Sequence, residues 1–373
     1  MTTTSSYYQD GVFVDPVVAA MKHLPFIPEH VQQSLSHPVT LGDKLKSHLL
    51  ADCHEIQQAH VQDRATNPIH TLTRKHFHPN DKDIVFYDEA HVYFIRGSCE
   101  GVISVTTFVH AFFPVFDSKA VAQQTVRSKA FKTNSQKKED HKYFGCNNQD
   151  DVLAVWNKAR DAGTLLHARI ERYMNGMPPT DEDRSSDPCW RQFINLVQNP
   201  VLWRFHPYRT EWAIFDPITR IAGTIDFLAH DDQGRFYILD WKRTGAIRDK
   251  GFGFGQFGRE TGYSVCSDFD SANFWQYSLQ LNVYRYILER YYGIKVHRMV
   301  LVQMHPELKS DRAQMILVPD LQRTVIRMMA TRMNVMKHST YNLRHRQTPS
   351  APVNSTIYNG HHPAGKKRPV IDL

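Results

Sequence analysis

The chain has 373 residues, 41% of them hydrophobic, enough to bury a core in one large domain with extensions or in two ordinary domains. No stretch approaches the ~20 apolar residues that span a bilayer, and the polar opening MTTTSSYYQDG lacks the charged start and apolar core of a secretory signal; a soluble, intracellular protein with no membrane partner is expected. Lys and Arg number 45 against 38 Asp and Glu, a formal charge of +7 and a pI near 9.0 that bias the chain mildly towards polyanions.

Residues 1–82 mix His, Pro and Gln with short helical stretches and form an N-terminal extension without a sustained pattern. From Asp83 the pattern firms: IVFYDEAHVYFI reads as a hairpin, and SVTTFVHAFFPVFD as a capped helix stopped by Pro114. The basic run from Arg127 to Tyr143 faces either a phosphate backbone or solvent. DDVLAVWNKARDAGTLLHARIERYMNG repeats its apolar residues near the 3.6-residue period, predicting either one helix or two broken at Gly163, ending at Asn175-Gly176. From Tyr208 the period shortens to two, and YRTEWAIFD, RIAGTIDFLAH and RFYILDWK predict a three-stranded antiparallel meander. A helix from Asn273 to about Tyr292 follows, then strands HRMVLVQMH and AQMILV and the amphipathic helix DLQRTVIRMMATRMNVM, before a basic tail (338–373) expected to be disordered.

The chemistry gathers on the second hairpin of that meander. Counting outward from the turn at Asp231 to Gly234, Asp226 falls about opposite Asp240, while Asp240 and Lys242, two apart on one strand, point to one side. Two carboxylates and an ammonium on one patch suit phosphodiester hydrolysis: hard oxygens hold Mg²⁺ or Mn²⁺, and the ammonium counters charge developing on phosphorus. Taken alone, the commonplace Asp-x-Lys is more often a structural ion pair at a strand end, with Asp226 capping a turn. The apolar run FYIL before Asp240 marks a buried strand, however, and charges ending such a strand need a reason. His167 and Glu171, at i and i+4, share a helix face, which makes His167 a candidate metal ligand and Glu171 either its orienting partner or a mate for Arg172. Gln280 and Tyr284 repeat that spacing, and the Gln280 amide is placed to contact a phosphate or Lys242, or to sit satisfied in the core.

In this order, GTLLHARIE, TEWAIFD, GTIDFLAHDDQGRFYILDWK and QLNVY resemble the PD-(D/E)xK nuclease superfamily, on its RecB-like and mitochondrial genome maintenance exonuclease-like branch. The resemblance covers roughly Asp83 to Met336 and takes in HVYFIRG and LVQMHPEL. It implies an α/β restriction-endonuclease-like core over 83–337, a central mixed β-sheet flanked by helices. It implies further that His167, Asp226, Asp240 and the Trp241 carbonyl hold Mg²⁺ or Mn²⁺, that Lys242 is the catalytic lysine, that Gln280 and Tyr284 help bind DNA, and that Glu211 supports the site from the preceding strand.

The five cysteines, Cys53, Cys99, Cys146, Cys189 and Cys266, are scattered and never form CxxC; with none after Cys266 the iron-sulfur cluster of several RecB-like relatives is not expected. No G-x-x-x-x-G-K-[ST] motif occurs, so any unwinding falls to a separate helicase or replication protein. The expected function is a metal-dependent exonuclease or flap-type nuclease on DNA with single-stranded ends; an endonuclease on RNA or structured DNA, or a non-catalytic scaffold, are the alternatives. Phe252, Phe254, Phe257 and Tyr263, among Arg248, Lys250 and Arg259, form either a lid that stacks on bases or an insertion packing its own aromatics. GKKRPV in the tail is either a nuclear-localisation patch or solvated chain, and the N-terminus is unlike an Arg-rich mitochondrial presequence.

Overall fold

A computed structural model of the protein describes residues 8–9, 12–36, 53–88, 90–136, 139, 141–180, 187–251 and 260–346. Helices α1 (Pro16–Ala20) and α2 (Glu29–Ser36) precede the hairpin of β1 (Ile84–Tyr87) and β2 (Val92–Ile95). A short strand β3 (Ile103–Ser104) leads directly into α3 (Val105–His110), whose first turn is capped by the Ser104 hydroxyl accepting from the Thr107 N–H. This helix ends at His110, a turn earlier than a stop at Pro114 implies.

Helix α4 (Gln149–Met174) then runs unbroken through Gly163, the single-helix alternative of the two. Leu166 and Ile170 on the same helix are buried, and that packing outweighs the ~1 kcal/mol helix cost of one glycine. Its C-terminus is fixed by Asn175, whose Nδ2 donates to the Glu171 carbonyl and the Thr210 hydroxyl, while Gly176 turns the chain at φ 79°. Helix α5 (Pro188–Val197) follows.

The meander is β4 (Phe205–Asp216), β5 (Ile221–Asp231) and β6 (Phe236–Arg243), then α6 (Asn273–Tyr291), β7 (Val296–Met304), β8 (Gln314–Leu317) and α7 (Gln322–Arg346). The six-stranded sheet is mixed, with β6 and β7 parallel, β3 and β5 parallel, and the other pairs antiparallel. Side chains alternate across it. Leu228, Ile238, Met299 and Leu301 join the larger core with α6 and α7, whereas Phe227, Leu239, Trp241 and Val302 pack with α4 and α5. The chain is thus an α/β protein with a mixed sheet between helical layers. No helix among the described residues is long and apolar enough to cross a membrane.

The segment before Asp83, patternless in sequence, contributes to the same core. Val17, Val31 and Leu35 are buried against α7, and Arg332 of α7, 1% exposed, donates to the carbonyls of Leu35, Gly101 and Thr219. Asp81 is 1% exposed and accepts from Arg209 Nη1 at 2.8 Å, Trp212 Nε1 at 2.7 Å and the His78 N–H at 3.0 Å. At the other end the α7 backbone continues to Arg346, past the expected start of the tail; residues 347–373, with GKKRPV, lie outside the described residues, as do Phe252, Phe254 and Phe257.

Replacing Asp81 by Ala strands the buried Arg209 guanidinium and the Trp212 N–H. The expected loss is ~3–5 kcal/mol of unfolding free energy, read from the denaturant midpoint.

Candidate functional site

Strand β4 pairs with β5 along almost its whole length, so the other edge of β5 is shared. On that edge β3 takes Ile221 and Ala222, and β6 takes Phe227 to His230. Between them the β5 edge from Gly223 to Asp226 lacks a strand partner among the described residues, and β6 diverges from it just where Asp240 begins. The register continued by one residue puts Asp240 across from Asp226. On the β4 side, the pairs Thr210 with Phe227 and Trp212 with Ile225 bracket Glu211, which falls opposite Asp226. Three carboxylates therefore share one rung across three strands.

The splayed edge lets a side chain enter from α4. His167 Nε2 lies 3.0 Å from the Trp241 carbonyl oxygen, and Nδ1 lies 3.4 Å from Glu211 Oε1 and 3.7 Å from Asp226 Oδ2. Asp226 Oδ2 also accepts from the Trp241 N–H at 2.9 Å, which fixes its carboxylate to the start of the divergence. Asp240 turns to Lys242, with Oδ2 2.6 Å from Nζ, and no other hydrogen bond among the described residues reaches that oxygen. The Lys242 ammonium sits 4.6 Å from the Tyr277 ring centroid, a cation–π contact that steadies it from α6.

Like charges packed so closely set the protonation of the site. Burial works against charge on His167, yet Asp226 and then Glu211 outweigh it and raise its pKa to about 9. Burial, with Glu211 beside it, lifts Glu171 to about 8. Burial raises Asp240 to about 6 against the pull of Lys242, and it raises Asp226 as well. Lys242 gains charge stability from Asp240 and Asp226 in spite of its burial. The cluster thus draws positive charge to itself, and the imidazolium of His167 supplies part of it.

His167, Glu211 and Asp226 each offer a donor atom, all within 4.8 Å of one another. An octahedral Mg²⁺ with ~2.1 Å bonds places neighbouring ligands about 3 Å apart and opposite ones about 4.2 Å apart. The set has the size and the oxygen-rich chemistry for such an ion. The structure thus groups Glu211, expected only as support, with His167 and Asp226, and turns Asp240 towards Lys242. Glu171 sits one turn beyond His167 on α4, within the field of Glu211.

Gln280 and Tyr284 meet each other, the Gln280 amide donating to the Tyr284 hydroxyl at 3.0 Å. The ring of Tyr284 is buried over Gly223: a Cβ built there would stand 2.8 Å from Tyr284 Cε1 and 2.8 Å from Val105 Cγ2. The glycine of GTIDF is therefore a space requirement beside the site. Sequence reading missed Tyr93, whose hydroxyl pairs with Thr224 Oγ1 at 2.9 Å and whose pKa burial pushes up to about 12. Only its β-hairpin was visible. It missed Tyr277 as well, since an aromatic at the start of an apolar helix carries no distinguishing signal.

No family model and no curated protein matches the chain. Its fold and site define an α/β protein with a histidine-carboxylate cluster at a splayed sheet edge. Among solved structures, one described as "Crystal structure of SSO0001" is similar at 14% identity over 67% of this chain and 86% of that one, with a TM-score of 0.28. A likeness that loose bears on neither the fold nor the activity.

Gly223→Ala is expected to push Tyr284 aside and break its bond with Gln280, costing ~1–3 kcal/mol of stability in a denaturant titration. Tyr284→Phe keeps the ring and loses only the hydroxyl, so its stability should stay within about 1.5 kcal/mol of the native value.

Proposed function

We propose that the chain is a metal-dependent deoxyribonuclease with a PD-(D/E)xK-type centre on a restriction-endonuclease-like core. In this reading it hydrolyses phosphodiester bonds at DNA ends that carry single strands, as an exonuclease or flap-type nuclease serving replication, repair or recombination. The observation that carries the reading is the shared rung of Glu211, Asp226 and Asp240, entered by His167 from one side and followed two residues on by Lys242.

His167, Glu211 and Asp226 would hold Mg²⁺ or Mn²⁺, with the Trp241 carbonyl and Asp240 beside them. When bound, such an ion would polarise a phosphoryl oxygen and lower the pKa of water at the site. Lys242, held by Asp240 and the Tyr277 ring, keeps a fixed ammonium where negative charge grows on phosphorus. Gln280 is half-buried, and with its amide tied to Tyr284 it orients a polar group towards the passing strand.

A cleft of about 680 Å³ begins at Arg243, the residue after Lys242 in sequence, and is lined also by Lys142, Arg248, Lys250 and His305. Among the described residues only Glu307 opposes these basic groups there. Such a lining favours a polyanion, and the chain's net charge of +7 acts in the same direction.

Digestion of end-labelled single-stranded, duplex, flap and closed circular DNA with Mn²⁺ tests the reading. Linear and flap substrates should be shortened and circles left intact, with chelator abolishing the activity. Asp240→Ala and Lys242→Ala should each fall ~100-fold or more in rate. Unchanged rates in both variants, or cleavage that survives chelation, would reject the nuclease; cutting of circles would reject the exonuclease.

Mn²⁺ titration calorimetry separates binding from chemistry. Glu211→Gln is expected to weaken the ion about 10–100-fold, whereas Lys242→Ala leaves binding intact.

A further inference from the structure

Among the described residues the sheet face that meets α4 and α5 is only partly covered. Towards β8 it opens into an apolar cavity of about 570 Å³ floored by Phe227, Ala229, Tyr237, Leu239, Trp241 and Val300. Three large apolar side chains stand exposed at its mouth: Trp203 at 69%, Met315 at 48% and Leu317 at 56%. Exposed Trp and Met beside Arg is the composition of an interface centre rather than of a solvated surface.

Arg204, Arg235 and Arg298 line the cavity together with His297, and no Asp or Glu does so among the described residues. Arg235 is tied to Asp231 at 2.6 Å, whereas Arg298 is exposed on its strand. Strand β8 ends the sheet on this side, and its outer edge pairs with no other strand among the described residues. Along it, Met315 and Leu317 turn to the cavity while Ile316 packs against the larger core.

We propose that this cavity and the β8 edge together form a docking site for an extended, acidic segment of a partner protein. The segment adds to the sheet as a strand beside β8, sets alternate apolar side chains over Met315, Leu317 and the cavity floor, and meets the arginines with its carboxylates. A single small amphiphile would fill the floor and leave the strand edge unpaired. A second copy of this chain, meeting the face with the same face, would oppose arginine to arginine. The acidic strand is the occupant that answers the open edge, the apolar floor and the basic rim at once. The proposal does not rest on the nuclease reading.

The test is a selection of random linear peptides displayed on phage against the whole chain, counter-selected on an Arg298→Glu/Leu317→Lys double variant. The enriched peptides should alternate apolar residues with Asp or Glu. One of them, synthesised, should shift the emission of Trp203 and Trp241, and each single variant should weaken it roughly tenfold or more while keeping the native thermal midpoint. Failure of any peptide to survive counter-selection, enrichment of basic sequences, or equal affinity in both single variants would overturn the proposal. Two further results would overturn it in favour of another occupant: dimerisation in sedimentation velocity that Leu317→Lys abolishes, or saturable binding of dodecanoate with no peptide enriched. None of these readouts measures DNA cleavage, so the proposal and the nuclease reading stand or fall separately.

Discussion

Carboxylates held side by side in a poorly solvated gap repel one another, and the rung of Glu211, Asp226 and Asp240 persists because the surrounding fold compels it. Each carboxylate is restrained by a different device. Asp226 is tied to the Trp241 N–H, Asp240 to the Lys242 ammonium, and Glu211 faces the His167 ring. In return the carboxylates favour the charged forms of His167 and Lys242. On the proposed reading a divalent ion would displace the His167 proton and take its place among those carboxylates.

Glu211 shows how much the fold invests in this arrangement. Its φ is 38°, in the left-handed region that a non-glycine residue in a strand normally avoids. The residues flanking it take no part in the rung and instead hold the backbone down. Trp212 Nε1 and Arg209 Nη1 both end on the buried Asp81, and the Thr210 hydroxyl accepts from Asn175 at the end of α4. The same few bonds therefore join the N-terminal segment, the helix that delivers His167 and the strand that delivers Glu211. Stability and site geometry here share one network.

The alternation of the meander and the turn at Asp231 made Asp226, Asp240 and Lys242 legible in sequence, because a strand's period and a tight turn fix relative position locally. His167 was legible as one face of a helix, although its approach depends on an edge that β6 leaves open. Glu211 came only through resemblance, since nothing in TEWAIFD announces a reversed φ. Asp81 escaped altogether, and the short helical stretches before Asp83 were visible without any sign that they enter the core. Their partners, Arg209, Trp212 and Arg332, lie more than a hundred residues away in sequence, and amphipathic period alone does not say which core a short helix enters. The continuity of α4 through Gly163 is of the same kind: propensity left a break there open, and tertiary burial of Leu166 and Ile170 decided for one helix.

Trp241 is the residue through which the two sides of the sheet meet. Its N–H and carbonyl hold Asp226 and His167 at the site, while its side chain floors the apolar cavity behind. The ring is 2% exposed, stacked on Phe227 at 5.7 Å and met edge-on by Phe193 at 5.8 Å. A side chain packed that way leaves its backbone little freedom. The tryptophan between Asp240 and Lys242 is thus the fixed point against which both neighbours are aimed, and the bulk of its ring, rather than any chemistry of its own, suits it to that place.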